Sequence, residues 1–165
     1  MASTLRRIGV TACVPIVLAL TGCGMDAQTL QPYTPAEGVN TGTGPVKVRN
    51  LMIVADNTGQ GVVSASMLTY GDDTLTAVAG VPQKSDGAAG SPLVVTATGL
   101  PATLSSNTLV VLTNAPLRVA VTSPDLKPGL LADITLTFAK AGPVKLVAPV
   151  LSASDPEFES IAVGR

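Results

Sequence analysis

The sequence predicts an all-β domain, a sandwich or a barrel, behind a secretion signal. Three observations carry this. From Pro45 onward, Val, Leu, Thr and Ala gather in short runs separated by Gly, Pro, Asn and Asp. Turn formers abound, with 16 Gly and 13 Pro in 165 residues, and no run keeps a helical period over a useful length. Several runs alternate apolar and polar residues, as strands with one buried face do.

Residues 1–22 read as a signal peptide. Arg6 and Arg7 make a basic start, and the apolar stretch from Ile8 to Leu20 is too short to span a bilayer comfortably. Leu20-Thr21-Gly22-Cys23 then looks like a bacterial lipobox. Small residues before the cysteine suit a signal-peptidase groove. Cleavage between Gly22 and Cys23 would leave Cys23 as a diacylglyceryl-modified N-terminus, anchoring the chain to the extracytoplasmic face of the cell membrane. Cys13 falls in the discarded part, so no thiol or disulfide chemistry is expected afterwards.

Residues 23–44 are expected to form a polar tether, about 60 Å long if extended. The alternative is that Tyr33 and Val39 pack it onto the domain as a clasp. The β domain itself is assigned to residues 45–151, with strands at 46–54, 61–70, 74–80, 92–98, 107–113, 116–122, 131–138 and 143–150. In the seventh strand Ile134, Leu136 and Phe138 share one face, and Asp133, Thr135 and Thr137 the other. Lys140-Ala141-Gly142-Pro143 reads as the hairpin turn to the eighth strand. Phe138 is the expected largest member of a Val/Leu/Ile/Ala core. Residues 83–91 read as a flexible loop and 152–165 as a frayed acidic tail.

Composition excludes several chemistries. There is no His, so His-based general bases, catalytic triads and imidazole metal sites are ruled out. A net charge of −1 and 2% aromatic residues argue against nucleic acid. Asp72-Asp73 lacks the spaced oxygen ligands of a calcium loop and reads as a turn opening a strand, with Asp73 bonding backbone. Serine catalysis would need a lysine base; Lys84-Ser85 and Ser123 to Lys127 lack the supporting pattern. Gly42-Thr43-Gly44 and Gly59-Gln60-Gly61 lack the lysine and helix of a phosphate loop. No catalytic residue and no cofactor is assigned.

The order of motifs adds a resemblance. Val46-Lys47-Val48-Arg49-Asn50, Val62 to Leu68 and Asp73 to Val78 are followed by Leu126-Lys127-Pro128-Gly129, Asp133 to Gly142 and Val144 to Val150. Over residues 45–150 this resembles the periplasmic copper(A) chaperone family, PCu(A)C, in its actinobacterial lipoprotein (LpqE-like) branch. The resemblance implies a cupredoxin-like or immunoglobulin-like Greek-key β-sandwich. It also implies a cuprous site of two His and two Met, which this chain does not keep. Arg118 stands at a His position and Ala120 at a Met position, and a fixed guanidinium repels copper. Met52 and Met67 are then the remaining thioethers of the domain, expected on neighbouring strands as packing residues. No metal site is assigned.

The expected role is therefore that of a non-catalytic, membrane-anchored docking or accessory protein. The resemblance points to the respiratory cytochrome bcc–aa3 oxidase or its assembly as the membrane-protein partner. The alternative is a copper-handling carrier with a non-standard site at Met52, Met67 or elsewhere.

Overall fold

A computed structural model describes residues 37–41 and 44–161. The signal peptide, the proposed cleavage site at Gly22 and Cys23, and Tyr33 lie outside the described residues. Among the described residues nine strands follow one another: β1 Val46–Ala55, β2 Gln60–Thr69, β3 Asp73–Pro82, β4 Val94–Thr98, β5 Ala102–Leu104, β6 Val110–Val111, β7 Arg118–Thr122, β8 Leu131–Phe138 and β9 Gly142–Ser152. No described helix is long and apolar enough to cross a membrane.

The strands form one sheet in the order β4-β7-β2-β1-β9-β8-β3-β5, with β6 alongside β2. The sheet curls because β9 serves both halves. Residues Gly142 to Pro149 pair antiparallel with β8, and Val150 to Ser152 pair parallel with Ile53 to Ala55 of β1. The curl encloses one core, in keeping with a sandwich whose two layers share a strand. Ile134, Leu136 and Phe138 all point inward, and Phe138 is among the largest fully buried side chains, as the alternation predicts. On β9, Lys145 and Val147 are exposed and Ala148 is buried, again as expected.

Some local expectations change. The single strand expected at 92–98 starts only at Val94, and the short β5 follows after Leu100-Pro101. The strand expected at 107–113 shrinks to Val110–Val111, because turns close on both sides: Asn107 adopts a positive φ of 56°, and the Asn114 amide bonds the Val111 carbonyl. Residues 83–91 are a tight hairpin rather than a flexible loop. Gln83 bridges Ala89, Lys84 N donates to Ala88 O, and the Asp125 carboxylate accepts from both the amide and the hydroxyl of Ser91.

Both ends of the domain pack on β1. Val39 bridges Leu51, Thr41 N donates to Val48 O, and the Arg49 guanidinium donates to Thr41 O at 2.7 Å. Residues 37–41 thus form the clasp, and strand-like pairing begins before Pro45. A bulge in β1 between Arg49 and Met52 makes room for it. There Asn50, at φ 52°, accepts from Gly38 N and donates its own amide to Asn40 Oδ1. Gly38 tolerates no side chain, since a Cβ would lie 2.5 Å from Asn50 C. At the other terminus, the expected frayed tail is corrected over its first ten residues. Pro156–Ile161 form a 3-10 helix whose Phe158 packs on Met52 and Val54, with Leu151, Ala153 and Ile161 around it. A lone aromatic in an acidic stretch supplies enough apolar area to dock it.

Candidate functional site

The two positions that the resemblance sets against a His and a Met, Arg118 and Ala120, lie on β7. Val119 and Val121 enter the core, so Arg118 and Ala120 face outward, each half-buried. Thr98 of β4 pairs with Arg118 and Thr96 with Ala120. The surface at this point is thus Thr, Arg and Ala, none of which is a soft-cation ligand.

The methionines do not converge either. Their strands are neighbours, as expected: Met67 pairs with Val48 and Met52 with Ser64. Yet Met67 belongs to the main core, whereas Met52 joins the separate cluster under Phe158. The β1 bulge between them puts the two thioethers on opposite faces of the sheet. Among the described residues, no group of three or more His, Cys, Asp or Glu comes together.

One end of the sandwich carries the most distinctive chemistry. It is the end where β1, β3, β7 and β9 begin and β2, β4 and β8 finish. Asp73 organises it. Its Oδ1 accepts from the amides of Thr74 (2.7 Å) and Lys140 (2.9 Å), and its Oδ2 from Ala141 N at 2.9 Å. Burial pushes the carboxyl upward, but those three amides and the Lys140 charge outweigh it and hold Asp73 below the usual carboxylate range. The sequence-level expectation that Asp73 bonds backbone therefore holds, and its reach extends to the β8–β9 turn. Lys140 is itself tied down, its Nζ donating to Asp72 O at 2.7 Å.

Beside this clamp, Tyr70 and Leu109 stand 67% and 60% exposed. Their loops are braced against each other. Asn107 N donates to Thr69 O, Ser106 N to Asp72 Oδ1, and Ser106 Oγ to Tyr70 O, each at 2.8 Å. Two recesses flank the pair. One, of about 250 Å³, is lined by Pro45, Val46, Tyr70, Lys140 and their neighbours; the other, of about 370 Å³, by Leu109, Pro101, Pro116 and theirs. Thr69 lines the first, with its Oγ1 buried and unpaired. Sequence reading did not find this surface. Its one visible signal was a tyrosine beside a Gly-Asp-Asp turn, and the partner loop lies more than thirty residues on.

No family model matches the chain, and no curated protein matches it. Solved structures do show a likeness. The chain is similar to an apo PCuAC domain from PmoF1, 22% identical, covering 69% of this chain and 99% of that one, with a TM-score of 0.49. It is also similar to a copper-bound PCuAC domain from PmoF2, 17% identical over 69% of this chain and 98% of that one, with a TM-score of 0.48. The apo form of that second domain gives 16% identity, 71% and 98% coverage, and a TM-score of 0.47. The likeness assigns no role to any residue here.

Proposed function

We propose that this chain is a membrane-anchored, extracytoplasmic docking protein, tethered through a diacylglyceryl group on Cys23 and without catalytic or metal chemistry of its own. The observation that carries the reading is the exposure of Tyr70 and Leu109 on two loops braced against each other. Large apolar side chains held out in solvent by a hydrogen-bonded loop pair are organised for contact, because the loops need no ordering when a partner arrives. The proposed partner is a membrane complex of the respiratory chain, the cytochrome bcc–aa3 oxidase or its assembly intermediates, served as an accessory subunit.

Capture of the acylated protein from membranes in gentle detergent, with mass spectrometry, tests this. Oxidase subunits are expected with the parent chain, and their yield should drop at least about tenfold with Tyr70→Ala/Leu109→Ala, since exposed interface aromatics dominate binding. Clean recovery of an unrelated complex overturns the respiratory assignment. Stoichiometric cuprous-ion binding below micromolar, measured on the same preparation, overturns docking alone in favour of a copper carrier.

A further inference from the structure

The recess beside Tyr70 is the mouth of the core at the loop end. Val46 and Thr69 face each other across the β1–β2 ladder, next along the inward face from Val48 and Met67, which lie in the core. Alternation along the strands therefore turns Thr69 inward. It is the last residue of β2, so its side chain closes the core and floors the recess of about 250 Å³ that it lines. Its hydroxyl is buried without a partner. That arrangement is unfavourable unless an occupant of the recess supplies one.

The walls above this floor are mostly apolar, with Pro45, Val46, Ala141 and Tyr70 among them. The charged lining residues are Asp72, Asp73 and Lys140, and they are not equivalent. Asp73 is buried and spends its carboxylate on the amides of Thr74, Lys140 and Ala141. Lys140 is committed too: its charge acts on Asp73 and its Nζ is held on Asp72 O. Asp72 is exposed, and only its Oδ1 is engaged, by Ser106 N at 2.8 Å. The other oxygen makes no hydrogen bond and no ion pair to a described residue. Two carboxylates against one ammonium leave the recess negative, and the uncompensated charge sits on Asp72.

We propose that this recess receives a guanidinium side chain, an arginine presented by the docking partner. The aliphatic stem packs on Pro45, Val46 and Ala141. The planar head meets the free oxygen of Asp72, stacks on Tyr70 and offers the Thr69 hydroxyl a donor. A lysine ammonium is more strongly hydrated and has no plane to stack. An anionic side chain is repelled by Asp72, and a purely apolar one leaves both Asp72 and Thr69 unanswered. The owner of the arginine rests on the docking reading, since Tyr70 belongs to both surfaces. The site itself is testable with a small probe, without that partner.

The test titrates the isotopically labelled full chain, in gentle detergent, with N-acetyl-arginine methylamide and with its neutral isostere N-acetyl-citrulline methylamide, followed by NMR. The arginine probe should shift the amides of Thr69 to Asp73, Lys140 and Ala141 and saturate in the millimolar range. The citrulline probe should bind at least about tenfold more weakly. Asp72→Asn keeps an oxygen for Ser106 N while removing the charge, and should also weaken the arginine probe at least about tenfold. Thr69→Val should weaken it as well, through loss of the hydroxyl alone. Asp86→Asn, an exposed acid on the 83–91 hairpin, should change nothing. Equal binding of the two probes, unchanged affinity in Asp72→Asn, or no shift at the recess each overturns the site. Failure of the docking reading looks different: oxidase capture is then insensitive to Tyr70→Ala/Leu109→Ala, while the arginine probe still prefers the recess and upholds the site.

Discussion

The two flanks of the β1-β2-β7-β4 layer are built in opposite ways. On the β1 flank both ends of the domain are committed to sealing: the 37–41 segment and β9 complete the ladder, and Phe158 caps the outer face. On the β4 flank no strand is paired beyond β4; Leu93 alone reaches across to Gly80 O of β3, and Val94, Thr96, Ala97 and Thr98 are exposed. Residues on the sealed flank are therefore held by folding energetics. Residues on the open flank and the loop end are free to be chosen for contact. Substitutions can separate these two regimes.

The largest effect is expected at Phe158. Phe158→Ala removes the cap over Met52 and Val54 and should cost about 3 kcal/mol, the lower part of the range for buried aromatics, because the cluster is peripheral. Chemical denaturation reads the loss. Hydrogen exchange should show it locally, as faster exchange of Ala153 N, which donates to Ala55 O. The matched change on the other flank, Val94→Ala, should move stability by less than about 0.5 kcal/mol. Equal losses at the two positions would erase the contrast.

Next comes Asp73. Asp73→Asn keeps one acceptor oxygen but cannot serve Thr74, Lys140 and Ala141 together, and should cost about 2 kcal/mol. The same residue predicts an acid response. Its carboxyl is depressed in the folded chain, so its stabilisation is complete above the ordinary carboxylate pKa of about 3.9 and fades as pH falls through the lowered value. Asp56, bonded by the Thr58 hydroxyl, and Asp125, bonded by the Ser91 amide, act in the same direction. Thermal melts of the parent should drop below about pH 4, and those of Asp73→Asn should drop less steeply.

These differences also explain what the sequence made readable. β8 and β9 were legible because Ile134, Leu136 and Phe138 alternate strictly with polar residues, and period two fixes the inward face. The clasp could only be posed as one of two alternatives, since its register depends on the Asn50 bulge, a feature with no local signature. β6 was overestimated because the apolar run Leu109 to Leu112 looks like a full strand, whereas its Leu109 points to solvent. The loop-end surface was not legible at all. The loops that carry Tyr70 and Leu109 are joined by hydrogen bonds between segments distant in the chain, and an exposed apolar residue carries no periodic mark.

A smaller effect is expected at Gly38. Its Cβ would press on Asn50 C and Leu51 O at 2.5 and 2.6 Å, both backbone atoms, so Gly38→Ala must lift the clasp from β1. The loss is that of a short segment with few buried side chains, about 1–2 kcal/mol. Limited proteolysis should then cut within residues 37–45 while leaving the rest of the domain intact. Cleavage no faster than in the parent would mean that the clasp contributes little and that β9 and Phe158 seal the flank alone.

The smallest effect carries the opposite sign. Thr69 is opposite Val46 at the end of the sealed flank, 2% exposed, and its hydroxyl has no hydrogen-bond partner. Burying an unpaired hydroxyl is unfavourable, so replacing it with a methyl of nearly the same shape removes a penalty without opening a cavity. Thr69→Val should raise stability by up to about 1 kcal/mol, with an unchanged denaturant slope. Thr69→Ala separates the two contributions, because it removes the same hydroxyl but also trims a methyl from a packed site, and should come out neutral or destabilising. If Thr69→Val instead destabilises, the hydroxyl has a partner such as a bound water in the adjoining recess. The sealed flank would then end at a hydrated mouth rather than a dry one.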